Sequence, residues 1–147
     1  VNGWMALTAA AVAVAVLALA WWLRRTYVAI TVAGLSMSPT LVTGDRVLIR
    51  RGAGGLRRGR IVVVARPDRE TGWRHNPPVD GLRGTGWYIK RAVALAGDQY
   101  PEGVGSGGTV SEGHLVLLGD NPRSFDSKQY GPCPRNQILG VMVRRLS

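Results

Sequence analysis

Serine can attack a carbonyl group and lysine can activate the serine, and in this sequence the two are unevenly supplied. Serines recur in turn-like settings, whereas lysine occurs only twice, as Lys90 and Lys128, against seventeen arginines. A guanidinium keeps its proton at any ordinary pH. A lysine stripped of solvent gives its proton up and becomes a base. A chain that writes nearly all its positive charge as arginine therefore singles out its lysines, and a serine beside a neutral lysine amine makes a nucleophile–base pair. Other chemistries are poorly provided. His75 and His114 both sit in polar, turn-like sequence and read as surface residues. Cys133 is the sole cysteine, which excludes an internal disulfide and a multi-cysteine metal site. No metal or other cofactor is expected.

Four stretches carry the serines, the lysines and their surroundings. The first is Gly34-Leu35-Ser36-Met37-Ser38-Pro39-Thr40-Leu41. Ser-Pro-Thr is ordinary turn chemistry, and spacing alone does not separate Ser36 from Ser38 as a nucleophile. The second is Gly44-Asp45-Arg46-Val47. The third runs from Tyr88 through Lys90 to a Gly97-Asp98 turn. A period of two puts Tyr88, Lys90, Ala92 and Ala94 on one strand face, where small and aromatic neighbours can desolvate the ammonium. The fourth is Gly119-Asp120-Asn121-Pro122-Arg123-Ser124-Phe125-Asp126-Ser127-Lys128, followed by Gly131-Pro132. In isolation it is a polar turn.

Taken in this order, the four stretches resemble the boxes of the type I signal peptidases, membrane-bound serine–lysine proteases. The resemblance spans most of the chain from Gly34 to Gly140 and implies a role for each residue. Ser36 is the nucleophile and its backbone N–H an oxyanion donor. Lys90 is the general base, Ser124 orients that lysine, and Asp126 makes a structural ion pair. Departures from the family pattern are Pro122 and Lys128 where many members have arginine, an Asn121 to Ser124 spacing one residue short, and Gly34 where some relatives have an oxyanion-binding serine. The short middle insertion resembles a minimal form of the Gram-positive or mitochondrial inner-membrane type. The implied substrates are the signal peptides of exported preproteins. A dedicated maturation protease for one secreted precursor is a narrower version of the same reading.

These residues need elements to position them. Residues 4–23 carry no charge, and as a helix they rise ~30 Å, the thickness of a bilayer's hydrocarbon core. Trp4 and Trp21-Trp22 suit the two interfaces. Ala18-Leu19-Ala20 before Trp21 has the small residues of a cleavage site, but no basic segment precedes the apolar run, so a retained anchor over residues 1–25 is expected. Arg24-Arg25 taken alone would place the C-terminal domain in the cytoplasm. The family resemblance implies the extracytoplasmic side of the cell membrane, with a single pass, and that is the expectation adopted. Residues 26–147 then form the catalytic domain.

Within that domain short β-branched runs predict strands at Tyr27–Val32, Arg46–Arg50, Ile61–Ala65, Trp87–Leu95, His114–Leu118 and Ile138–Leu146. Residues 67–86 read as an inserted loop or flap. Nothing beyond the anchor shows helical period, so the fold expected is mainly β: one N-terminal transmembrane helix followed by a small signal-peptidase-like β domain. The net charge of +10 calls for an anionic partner. Zinc-finger spacing, aromatic-studded RNA motifs and a helix-turn-helix are all missing, so the lipid bilayer is expected and nucleic acid is not. Two rivals remain open on sequence. One is a self-cleaving repressor domain, disfavoured by the anchor. The other is a non-catalytic, basic, membrane-anchored binding domain.

Overall fold

The computed structural model describes residues 2–79, 81–84 and 86–147. Val1, at the head of the expected anchor, and Asp80 and Thr85 of the expected flap lie outside it. The uncharged run forms one continuous helix, α1, over Asn2–Thr26, and none of its residues is buried against the rest of the chain. Its 25 residues rise ~37 Å. With a mean hydropathy of 2.2 it is long and apolar enough to cross a membrane. Thr8, the one polar side chain inside the run, donates its hydroxyl back to the Trp4 and Met5 carbonyls. It therefore leaves no unmet donor on the helix surface. At the far end Arg25 lies over the Trp21 ring, 4.6 Å from its centroid.

The helix passes directly into β1 (Tyr27–Thr31). The further strands are β2 (Arg46–Arg51), β3 (Ile61–Ala65), β4 (Trp87–Leu95), β5 (His114–Leu118), β6 (Cys133–Pro134) and β7 (Ile138–Arg145). They form one seven-stranded sheet in the order β1-β2-β7-β3-β4-β5-β6, every neighbouring pair antiparallel. The strands predicted from β-branched runs are all present, with ends moved by a residue or so. The late strand β7 inserts between β2 and β3, which makes β3 central. Its unbroken apolar sequence follows from that place: Ile61 and Val63 enter one core cluster, Val62 and Val64 another on the opposite face.

The sheet curls on itself. Ile30 on the edge strand β1 and Ile89 on β4 belong to the same cluster although three strands separate them in the sheet. Met37 and Leu41, from the loop that carries Ser36, are buried in that cluster too. Two expectations change. The period-two alternation of β4 breaks after Ala92, where the pairing with β5 shifts register, so Val93 and Ala94 both pack on a third small cluster. The domain also holds a short helix, α2 (Ser127–Tyr130), started by a capping box in which Asp126 and Gln129 exchange side-chain and backbone bonds. The segment expected to be a flap is tied down. Trp73 is buried, its indole N–H donates to the Gly131 carbonyl at 3.0 Å, and its ring meets Tyr130 edge-on. Burying that indole stabilises the tie by roughly 2–3 kcal/mol.

Candidate active site

Ser36 sits in the loop between β1 and β2, half-buried, with Met37 beneath it at 1% exposure. Burial of Met37 and Leu41 pins the loop from below, and the Leu41 N–H donates to the Met37 carbonyl. Further along, the buried Asp45 closes the loop. One carboxylate oxygen accepts from the Val42 N–H at 2.9 Å, and the other pairs with Arg145 of β7 at 2.7 Å. Among the described residues no hydrogen bond uses the Ser36 N–H, which is left free to donate. The Ser36 hydroxyl lies 3.5 Å from the Ile89 carbonyl, a long contact to the residue just before Lys90.

Lys90 is 2% exposed. Its strand pairs it with Val62, and Tyr88, two residues earlier, places its ring 5.1 Å from Nζ. Burial disfavours the ammonium, and this is the largest influence on the group. Asp126 opposes it, Lys128 adds to it, and together they push the lysine down to about 8. Among the described residues no carboxylate pairs directly with Nζ. It donates instead to the Ser124 hydroxyl at 2.7 Å, which in turn donates to Asp126 Oδ2 at 2.9 Å.

The segment from Gly119 to Asp126 joins the two halves of the site. Asp126 is fully buried. Besides Ser124 it accepts from the N–H groups of Gly119 and Lys128, at 2.9 and 3.1 Å. Lys128 Nζ stands 4.0 Å from it, so the carboxylate serves chiefly as a hydrogen-bond hub. The tight ion pair of the segment is a different one. Asp120 takes a two-pronged bond from Arg91, 2.8 and 2.6 Å, and the Thr40 hydroxyl also donates to it. Arg91 holds the Asp120 carboxyl below its usual range. The short Asn121 to Ser124 spacing is absorbed by a turn in which the Ser124 N–H donates to the Asn121 carbonyl at 2.9 Å. Gly119 admits no side chain, since a Cβ there would collide with the Ser124 side chain and with the Ser36 carbonyl.

Ser36, Lys90 and Ser124 line one open cleft of about 620 Å³, together with Gly34, Leu35 and Tyr88. Ser38, the other candidate nucleophile, is not among its lining residues, nor are His75 and His114. A larger hollow of about 1040 Å³ runs along the segment from Ala65 to Gly86, but neither serine nor lysine lines it. Cys133 is buried, and burial raises its thiol well above the ordinary range. Among the described residues no three His, Cys, Asp or Glu side chains gather as a metal site would need. The cleft thus offers a hydroxyl, a desolvated amine and a free N–H donor, a set suited to acyl transfer.

A model of the family described as signal peptidase, peptidase S26, matches residues 2–101 and 99–146. The chain belongs to that family. Among curated proteins it is similar to a probable signal peptidase I-2 of Synechocystis sp., with 29% identity over 170 residues that cover 95% of this chain and 71% of the relative. As a peptidase S26 member the chain is a hydrolase of peptide bonds, and family membership implies substrates that bear signal peptides. Of the residues that shape this peptidase's cleft, sequence reasoning named the serines, the lysine and Asp126. It gave no role to Gly119, Asp120, Asn121 or Arg91. The Asp120–Arg91 pair had no local signal, because 29 residues separate the partners.

Proposed function

We infer that this chain is a membrane-anchored signal peptidase in which Ser36 is the nucleophile and Lys90 the general base. The observation that carries the reading is Lys90 itself, an almost unexposed lysine pushed down to about 8, lining the same cleft as Ser36. Near neutral pH an appreciable fraction of such an amine is unprotonated and able to take a proton. The Ser36 hydroxyl swings from the Ile89 carbonyl toward Lys90 Nζ and gives it a proton as Oγ bonds to the scissile carbonyl carbon. The carbonyl π pair moves onto oxygen, where the Ser36 N–H receives it. As the C–N bond breaks, Lys90 returns the proton to the leaving amine. Water then attacks the acyl-enzyme, Lys90 takes its proton, and Ser36 recovers a proton as the ester bond breaks.

Two further parts of the reading rest on placement. The helix α1 crosses the bilayer and carries the β domain on the extracytoplasmic side, where exported preproteins emerge. Beside Ser36 the cleft wall is built from Ala33 and Gly34. An extended substrate laid against it is selected for small side chains, alanine foremost, at the first and third residues before the cut. The test is mass spectrometry of a model preprotein incubated with the detergent-solubilised full chain. Cleavage after an Ala-x-Ala segment, lost in Ser36→Ala and with Phe before the cut, is the expected result. Cleavage that persists in Ser36→Ala would remove the nucleophile assignment. Protease added to intact spheroplasts checks the side, since a domain that stays protected contradicts it.

A further inference from the structure

The free N–H at Ser36 belongs to the peptide unit between Leu35 and Ser36, so whatever orients that unit aims the donor. A trans peptide is planar, with its C=O and N–H pointing in opposite directions. The Leu35 carbonyl is held by two donors, the side-chain amide of Asn121 at 3.0 Å and the Ser38 N–H at 3.1 Å. The Asn121 backbone N–H also binds the next carbonyl, that of Ser36, at 3.0 Å. The amide is not free to flip. Its Oδ1 accepts from the Arg123 N–H at 3.0 Å, which leaves Nδ2 facing Leu35. Asn121 itself is steadied by the preceding residue, Asp120, which is locked by Arg91 and Thr40. Gly34 has no side chain to add a second donor at the nucleophile.

We propose that Asn121 is a positioning residue for the oxyanion donor: by holding the Leu35 carbonyl it aims the Ser36 N–H at the oxygen that becomes negative when Ser36 attacks. The proposal rests on Ser36 being the nucleophile. It gives Asn121 a task in the transition state and none in binding the substrate or in the basicity of Lys90, whose contacts run through Ser124 and Tyr88.

The test uses the full chain in detergent with Asn121→Ser and Asn121→Ala. A serine keeps a side-chain oxygen for the Arg123 N–H but is too short to reach Leu35, so the turn survives and the aim is lost. Removing one preorganised oxyanion donor outright typically costs 10²–10³ in kcat, and a donor that is misaimed costs about 10–100-fold. The expected outcome for both variants is a kcat loss of about that size, with KM and the pH midpoint of the rate unchanged. A peptide aldehyde gives a second readout. Ser36 Oγ adds to its carbon, the π pair moves to oxygen and the proton passes to Lys90, so its affinity should fall by the same factor. The corresponding peptide alcohol forms no oxyanion and should bind as to wild type. An unchanged kcat in a variant with wild-type circular dichroism overturns the proposal. A rise in KM, a moved pH midpoint or equal losses for aldehyde and alcohol also overturn it. Ser36→Ala separates the two readings: if it stays active the nucleophile assignment fails, whereas a dead Ser36→Ala beside fully active Asn121 variants sinks only the role of Asn121.

Discussion

Two lysines flank one buried carboxylate, and they have opposite surroundings. Lys128 lies on α2 at the surface, 4.0 Å from Asp126, and donates to the Pro122 carbonyl at 3.0 Å. Lys90 lies on β4 in the core, reaches the same Asp126 only through the Ser124 hydroxyl, and is pushed down to about 8. A nearby negative charge favours an ammonium, so Asp126 alone would keep Lys90 protonated near neutral pH and unable to accept a proton. Burial outweighs it, because removing water from an ammonium disfavours the charged form more than a carboxylate beyond direct contact favours it. A base therefore comes from a lysine kept dry, with its carboxylate one hydroxyl away.

The comparison is most severely strained by exchanging lysine for arginine at each position. Lys90→Arg keeps the charge but offers no accessible neutral form. Single-turnover cleavage is expected to fall by ~10³-fold or more, as far as in Ser36→Ala. Lys128→Arg keeps the surface charge and should stay within about threefold of wild type. A folded Lys90→Arg with near wild-type rate would mean that the lysine supplies charge only. Ser124→Ala removes the hydroxyl that links Lys90 to Asp126. It leaves the amine in place but unaimed, and ~10–100-fold in kcat is expected, measured with circular dichroism as the folding control.

Stability should move against activity. The unfolded lysine has its ordinary value of 10.5 and the folded one about 8, so between these the unfolded chain holds more protons and wild-type stability rises with pH. Below about 8 the cost of burying the charge is present in full. Lys90→Met removes that cost and should stabilise the fold at pH 7 by on the order of 1–3 kcal/mol, read by urea denaturation. The gap should close as pH approaches 10.5. The smallest effect is expected from Lys128→Ala. Its charge helps to lower Lys90, so its loss should move the midpoint of the pH–rate profile slightly upward. A downward move would contradict the repulsion.

The strands other than β6 were legible because each carries its own β-branched or apolar run, whereas the two-residue β6, Cys133–Pro134, has none; β3 was legible as buried because its apolar run has no polar face. The place of β7 between β2 and β3 was not, since long-range pairing leaves no local mark. The helix α2 had a signal that went unread: Asp126 and Gln129 stand three apart at a turn, the spacing of a capping box. At the site, residue types pointed to the serines and Lys90, the family resemblance favoured Ser36 and gave Ser124 and Asp126 their roles, while spacing left Ser36 and Ser38 equal. Their separation comes from the curl of the sheet, which brings the Ser36 loop against Ile89. The clamp by Asn121 and the close approach at Gly119 join segments more than eighty residues apart, and only the folded chain shows them.

The central claim is that a desolvated, neutral Lys90 takes the proton from Ser36, and the pH dependence of single-turnover cleavage tests it most directly. For the full chain with one Ala-x-Ala preprotein, the rate should rise with pH as a single proton is lost, with a midpoint at about 8, and then level off. Lys90→Arg should show no such limb at any pH. A wild-type rate that is flat across this range, or a limb with the same midpoint in Lys90→Arg, would contradict the account.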